Sequence, residues 1–125
     1  MPSATFHFPS GFLWGTSTSA YQVEGNNTNT NWYQWEQIPN KIFENQTAGK
    51  ACDWWSGRWK EDMDRAEMTH QNAHRLSIEW SRIQPEIDRW DEGSLDHYRE
   101  ILRGLRDRGI SPIITLHHFT EPLWL

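Results

Sequence analysis

The chain has 125 residues, the size of one ordinary domain, and its 36% hydrophobic and 14% aromatic content, with nine Trp, excludes a disordered chain. Twelve Lys and Arg against seventeen Asp and Glu leave a net charge of -5, the wrong sign for a general nucleic-acid binder. Mean hydropathy is -0.85 and no apolar run approaches the ~18 residues of a membrane span, so neither nucleic acid nor membrane is an expected partner. Met1 to Gly15 lacks the basic and apolar regions of a secretory leader, and a cytoplasmic location is the expectation. Cys52 stands alone, which excludes an internal disulfide and an all-cysteine metal site and predicts a small buried hydrophobe.

In chain order, Phe12 to Thr16 is a short apolar run leading into the small residues Ser17 to Ala20, the pattern of a strand that opens into a turn. Asn26 to Gly57 shows no periodicity and reads as a long loop, in which Asn, Thr and Gln alternate with Trp32, Tyr33, Trp35, Trp54 and Trp55. Amides beside exposed indoles suit a surface that meets a polar, partly apolar ligand. Asn26-Asn27-Thr28 and Asn45-Gln46-Thr47 fit the glycosylation acceptor pattern, but without a secretory leader they are discounted.

Trp59, Met63, Ala66, His70 and Ala73 recur at helical intervals and predict a helix from Trp59 to Asn72. Leu76, Ile78 and Trp80 then alternate with Arg75, Ser77 and Glu79, the period of a strand with one apolar and one polar face. A second helix is marked by Ser94 as N-cap, Asp96 in the first turn, the stripe Leu95, Tyr98, Ile101, Leu102 and Leu105, and Gly109 at the C-terminal cap. Pro112 leads into Ile113, Ile114, Thr115 and Leu116, a short strand of the kind buried on both faces, with His117 and His118 at its C-terminal end. This order predicts an α/β fold with a parallel sheet and helical crossovers. Three strands and two helices would leave edges unpaired, and the chain stops directly after a buried strand. Residues 1–125 are therefore expected to be the N-terminal part of a single larger domain, truncated after the third strand.

The run Phe12-Leu13-Trp14-Gly15-Thr16-Ser17-Thr18-Ser19-Ala20-Tyr21-Gln22-Val23-Glu24-Gly25 resembles the N-terminal signature of glycoside hydrolase family 1, the β-glucosidase family. His74 to Ile83 resembles the family's second-strand motif, and Thr115-Leu116-His117-His118-Phe119 its third-strand motif. The resemblance implies the first three strands and two helices of a (β/α)8 TIM barrel, incomplete in this chain, with the active site at the C-terminal ends of the strands.

It further implies that Gln22 binds the glycone, since an amide offers both an acceptor and donors to adjacent sugar hydroxyls. His117 and His118 face opposite sides of a strand, and the resemblance picks His118 for a glycone hydroxyl. Phe119 stands where the family commonly carries Trp, keeping an aromatic wall without the indole N–H. Arg75, pointing into a barrel, needs a carboxylate, and by resemblance sits beside the nucleophilic glutamate, which lies beyond Leu125.

Glu24 reads as structural, because the family's two catalytic glutamates belong to other motifs. Glu121 follows Thr120 and the third strand, not the Asn and fourth strand of the family's acid/base motif. His70 and His74 share an i, i+4 spacing without an intervening carboxylate of the zinc-protease pattern, so no metal site is expected; nor is a cofactor. The resulting expectation is the N-terminal part of a retaining β-glycosidase acting on a β-linked saccharide or glycoside, in which two glutamates about 5 to 5.5 Å apart do the chemistry. This chain holds neither, so the isolated chain is expected to be inactive and to need the remainder of the barrel. Two rivals stand beside it: a non-catalytic sugar-binding module that uses the Trp-rich loop as a stacking platform, and a degenerate barrel half.

Overall fold

A computed structural model describes residues 5–125. Three parallel strands, β1 (Gly15–Ser17), β2 (Ala73–Ser77) and β3 (Ser111–Thr115), form one sheet in the order β1-β2-β3. The register sets Ser17 beside Arg75, Arg75 beside Ile113, and Ser77 beside Thr115. Five α-helices accompany them: α1 (Ala20–Val23), α2 (Asn31–Glu36), α3 (Trp59–Met68), α4 (Trp80–Ile83) and α5 (Glu92–Asp107). The two expected crossovers are α3 and α5; the three shorter helices lie in segments that show no helical period long enough to read.

Both crossover helices cover the same face of the sheet. Trp59, Met63 and Ala66 of α3 and Tyr98, Ile101 and Leu105 of α5 share one core with Leu76 of β2, Ile110, Val23 and Trp54. Each large apolar side chain buried there stabilises the fold by about 1.5 to 3 kcal/mol. Gly104 lets the helices meet, since a Cβ there would sit 2.5 Å from Cζ3 of Trp59. The opposite face of β2 carries Arg75 and Ser77, and Ser77 is buried there with its Oγ accepting from Ala20 N at the start of α1 at 2.7 Å.

Several boundaries differ from the sequence reading, each for a local reason. α3 ends at Met68, because Thr69 Oγ1 donates to the carbonyls of Arg65 and Ala66 and His70 turns left-handed at φ 58°. β2 ends at Ser77, because Glu79 leaves the ladder to cap α4. α5 starts at Glu92: Asp91, not Ser94, is the N-cap, its carboxylate accepting from Ser94 N at 2.6 Å. That backbone N–H holds the Asp91 carboxyl below its ordinary value. Gly109 follows the helix in the left-handed region at φ 71°, as a C-terminal cap requires.

β1 pairs only from Gly15, so Phe12 and Trp14 lie before the strand, exposed, and cluster with Phe8 at ring separations of 4.5 to 4.8 Å. β3 is not buried on both faces. It pairs with β2 alone and packs on α5, leaving Ile113 47% and Ile114 42% exposed. Cys52 is exposed, not buried, since it sits in a surface turn between left-handed Ala51 and Asp53. Among the described residues no helix is long and apolar enough to cross a membrane.

Candidate functional site

Parallel strands send all their C-terminal ends to one edge, so the segments after β1, β2 and β3 converge there. The first carries Gln22 on α1, the second Glu79 at the start of α4, the third His117, His118 and Phe119.

Arg75 is half-buried and leans along its strand toward this edge. Its Nε donates to Thr115 Oγ1 at 2.8 Å and its Nη2 lies 3.1 Å from Nδ1 of His118. The carboxylate partner expected for Arg75 is not among the described residues; a hydroxyl and an imidazole stand in its place. A guanidinium only donates, so His118 Nδ1 accepts and the ring proton resides on Nε2. His118 thereby offers an N–H donor on its far side. His117 is exposed and turns its ring edge-on to Trp80 at 6.2 Å, away from this pair.

Phe119 holds a left-handed backbone at φ 66° and stacks on Trp32 of α2, centroids 6.0 Å apart and planes at 29°. Trp32 in turn meets Tyr21 edge-on at 5.7 Å. Gln22, next to Tyr21, is exposed, with its amide oxygen accepting from Ser19 Oγ at 2.6 Å. Among the described residues no hydrogen bond joins Gln22 to the Arg75–His118 pair; the two are linked through the aromatic series Tyr21, Trp32, Phe119. Beside that series lies a cavity of about 560 Å³ lined by Tyr21, Asn31, Trp32, Trp35, Glu36 and Ile42. Indole faces with a few polar groups suit the apolar faces and hydroxyl edges of a saccharide.

The Trp-rich segment is thus divided. Trp32 and Trp35 are exposed at this edge, whereas Trp54 is buried, its Nε1 donating to Asp62 at 2.7 Å. Trp55 is packed under the Arg82 guanidinium at 3.9 Å. A platform built from all of them is therefore not formed. No sequence signal separated the two pairs, because which indole turns inward depends on α2 and on the turn ending at Gly57.

Beneath the edge is a buried polar cluster. Glu24 pairs with Arg82 Nε at 2.8 Å and accepts from the Tyr98 hydroxyl; Tyr98 Oη accepts from Glu79 N at 2.9 Å. Burial pushes the Glu24 carboxyl up to about 7, against the opposing pull of Arg82 and Tyr98. Glu24 is a structural ion-pair partner of the interior.

Glu121 is likewise tied up. It exchanges backbone and side-chain hydrogen bonds with Asn31, fixing the segment after β3 to α2. His74 is buried with Nδ1 3.0 Å from Thr16 Oγ1 and Nε2 3.1 Å from Thr18 Oγ1, and burial lowers its pKa. Both ring nitrogens are occupied, and His70 lies exposed beyond the end of α3.

A parallel sheet with both crossover helices on one face and with donors and aromatic rings collected at its C-terminal edge is the arrangement of an α/β enzyme that works at its strand ends. Comparison with known proteins makes the class specific. The family model for Glycosyl hydrolase family 1 matches residues 4–125. Beta-glucosidase A of Thermotoga maritima is 37% identical over 124 residues, covering 94% of this chain and 28% of that protein. Beta-glucosidase 47 of Arabidopsis thaliana is 38% identical over 125 residues, covering 94% of this chain and 23% of that protein. Among solved structures, the family 1 β-glucosidase from Thermotoga maritima superposes with a TM-score of 0.89 at 36% identity, over 94% of this chain and 28% of that one. The chain belongs to glycosyl hydrolase family 1, and it spans a little over a quarter of the length of the Thermotoga relative.

Proposed function

We propose that residues 1–125 are the N-terminal part of a single (β/α)8 barrel domain of a retaining β-glycosidase that hydrolyses O-glycosidic bonds, and that they supply sugar recognition. The observation that carries this reading is the Arg75–His118 pair at the strand ends, which leaves a fixed N–H donor beside the Phe119 and Trp32 rings. The order β1-β2-β3 with both crossovers on one face supports a sheet that curls with its helices outside. Relatives named β-glucosidases support a β-linked substrate, and the Thermotoga enzyme has been crystallised with castanospermine and with cyclophellitol.

In this reading Gln22 and the Nε2–H of His118 bind glycone hydroxyls and Phe119 walls the ring. Arg75 faces the nucleophilic glutamate contributed by the rest of the barrel and keeps it ionised. The contacts should strengthen as the sugar flattens toward the oxocarbenium-like transition state, which is where binding accelerates a reaction. The reaction is placed in the cytoplasm, a point that cell fractionation tests.

The test of function joins residues 1–125 to the part of Thermotoga Beta-glucosidase A that follows the matched segment and assays a chromogenic β-glucoside. The fusion should turn over the substrate, the isolated chain should not, and Gln22→Ala and His118→Ala should each cost about 2 to 4 kcal/mol in kcat/KM. A folded fusion without turnover, from a chain that binds the glucoside by itself, would favour the sugar-binding module instead.

A further inference from the structure

We infer that Glu79 is a positioning residue, whose buried carboxylate acts through Thr120 to set the turn that presents His118 and Phe119. This rests on the reading of those two residues as sugar contacts.

Glu79 is 1% exposed, and the cation of the cluster below the edge goes to Glu24 rather than to it. A carboxylate out of water needs hydrogen bonds on both oxygens. Oε1 accepts from Ser81 Oγ at 3.0 Å and Ser81 N at 3.4 Å, which is ordinary capping of α4. Oε2 has no part in that cap. It accepts from Thr120 Oγ1 at 2.8 Å, across from the segment after β2 to the segment after β3. Capping alone would be served by a serine or aspartate, so the longer side chain is explained by the reach to Thr120.

Thr120 is itself buried and its N–H donates to His118 O at 2.8 Å, closing a tight turn around Phe119. Phe119 lies there in the left-handed region, which a non-glycine residue occupies only when its surroundings hold it. The two bonds of Thr120, one to His118 and one to Glu79, hold it at the turn itself, while Glu121 and Asn31 tie the following residue to α2. Glu79 has a fixed base in turn. Its N–H donates to Tyr98 of α5, Tyr98 donates to Glu24, and Glu24 N donates to Ala20 O at the start of the helix that carries Gln22. The segment bearing Gln22 and the segment bearing His118 and Phe119 are therefore referenced to one buried scaffold, with Glu79 as the branch toward the second.

The test is NMR on the fusion enzyme with His and Phe rings labelled in its 1–125 segment, comparing Thr120→Val, Thr120→Ser and Glu79→Asp. Thr120→Val should abolish the ring-current shift that Trp32 imposes on Phe119 and move the His118 ring signals, while His74 and the amides of β2 stay in place. Thr120→Ser should restore both signals, and Glu79→Asp, which can still cap α4 but falls short of Thr120, should reproduce the valine effect. Unchanged Phe119 and His118 signals in Thr120→Val would overturn the proposal, as would changes spread equally over His74 and β2. Should Glu79→Asp fail to fold, Thr120→Val decides alone, since it leaves the bonds of Glu79 to Ser81 and Tyr98 in place. An inactive but folded fusion enzyme, with the valine effect present, would remove the sugar role and leave the positioning role standing.

Discussion

Arg75 Nη2 and His118 Nδ1 lie 3.1 Å apart, and because the guanidinium has no lone pair to offer, this contact dictates the tautomer of the imidazole. It also explains how His118 is held near the end of an edge strand that has neighbours on one side only. Thr115, on the same face, accepts from the Nε–H of Arg75 and completes the clamp.

Arg75→Met should release that tautomer. The nitrogen shifts of His118 should change from an unprotonated Nδ1 and protonated Nε2 to an averaged pair, with His74 and His117 unaltered. In the fusion enzyme the loss in kcat/KM should exceed the roughly 1.5 to 3 kcal/mol of a hydrogen bond to a charged group, since the proposed nucleophile loses its cation as well. An unchanged His118 spectrum would show that the clamp does not set the proton.

Glu24 gives a pH dependence of definite sign. Its carboxyl stands at about 7 in the fold against 4.5 ordinarily, so between these pH values the folded chain binds more protons than the unfolded one. Stability from this group therefore falls as pH rises from 4.5 to about 7 and levels off above. Urea unfolding across that window should show a declining contribution that Glu24→Gln removes. Arg82→Ala should cost about 1 to 3 kcal/mol near neutral pH, because it removes the donors to Glu24 and to Gly25 O, and should raise the Glu24 carboxyl further so that it takes up a proton. A Glu24→Gln chain with the same pH slope as the parent would refute the assignment.

Gly104 tests the packing of the crossover helices. In a free helix Gly→Ala gains about 1 kcal/mol; here the added methyl meets the Trp59 ring, and overpacking should turn the gain into a net loss of about 1 to 3 kcal/mol. Denaturant midpoints of the parent and Gly104→Ala decide it. A stabilised variant would mean that α3 and α5 stand farther apart.

The residues proposed to contact the sugar could be named because they sit in motifs of fixed local order: Gln22 after β1, Arg75 on the polar face of β2, and His118 and Phe119 after β3. The stripe Tyr98, Ile101 and Leu105 and the position of Gly109 likewise announced α5, since helical and strand periods repeat within a few residues and each leaves its mark on a short stretch of chain. The edges of those elements did not follow from period alone. Asp91 displaced Ser94 as cap, and Thr69 stopped α3 before its apolar pattern ran out, because a single side-chain hydrogen bond ends an element whose hydrophobic spacing still continues.

The tertiary structure decided what the side chains do. Trp32 and Trp54 lie in the same polar, aromatic segment, yet one stacks on Phe119 and the other is sealed in the core. Arg75 meets His118, and Glu79 meets Thr120, through separations of 43 and 41 positions. Such pairings depend on the register of three strands and on left-handed turns at residues such as Phe119, and no local pattern encodes them. The sequence by itself determined which faces are apolar, because that is written in neighbouring residues; only the folded chain determined which buried charges and rings share a neighbour, because that is set by distances between segments far apart along it.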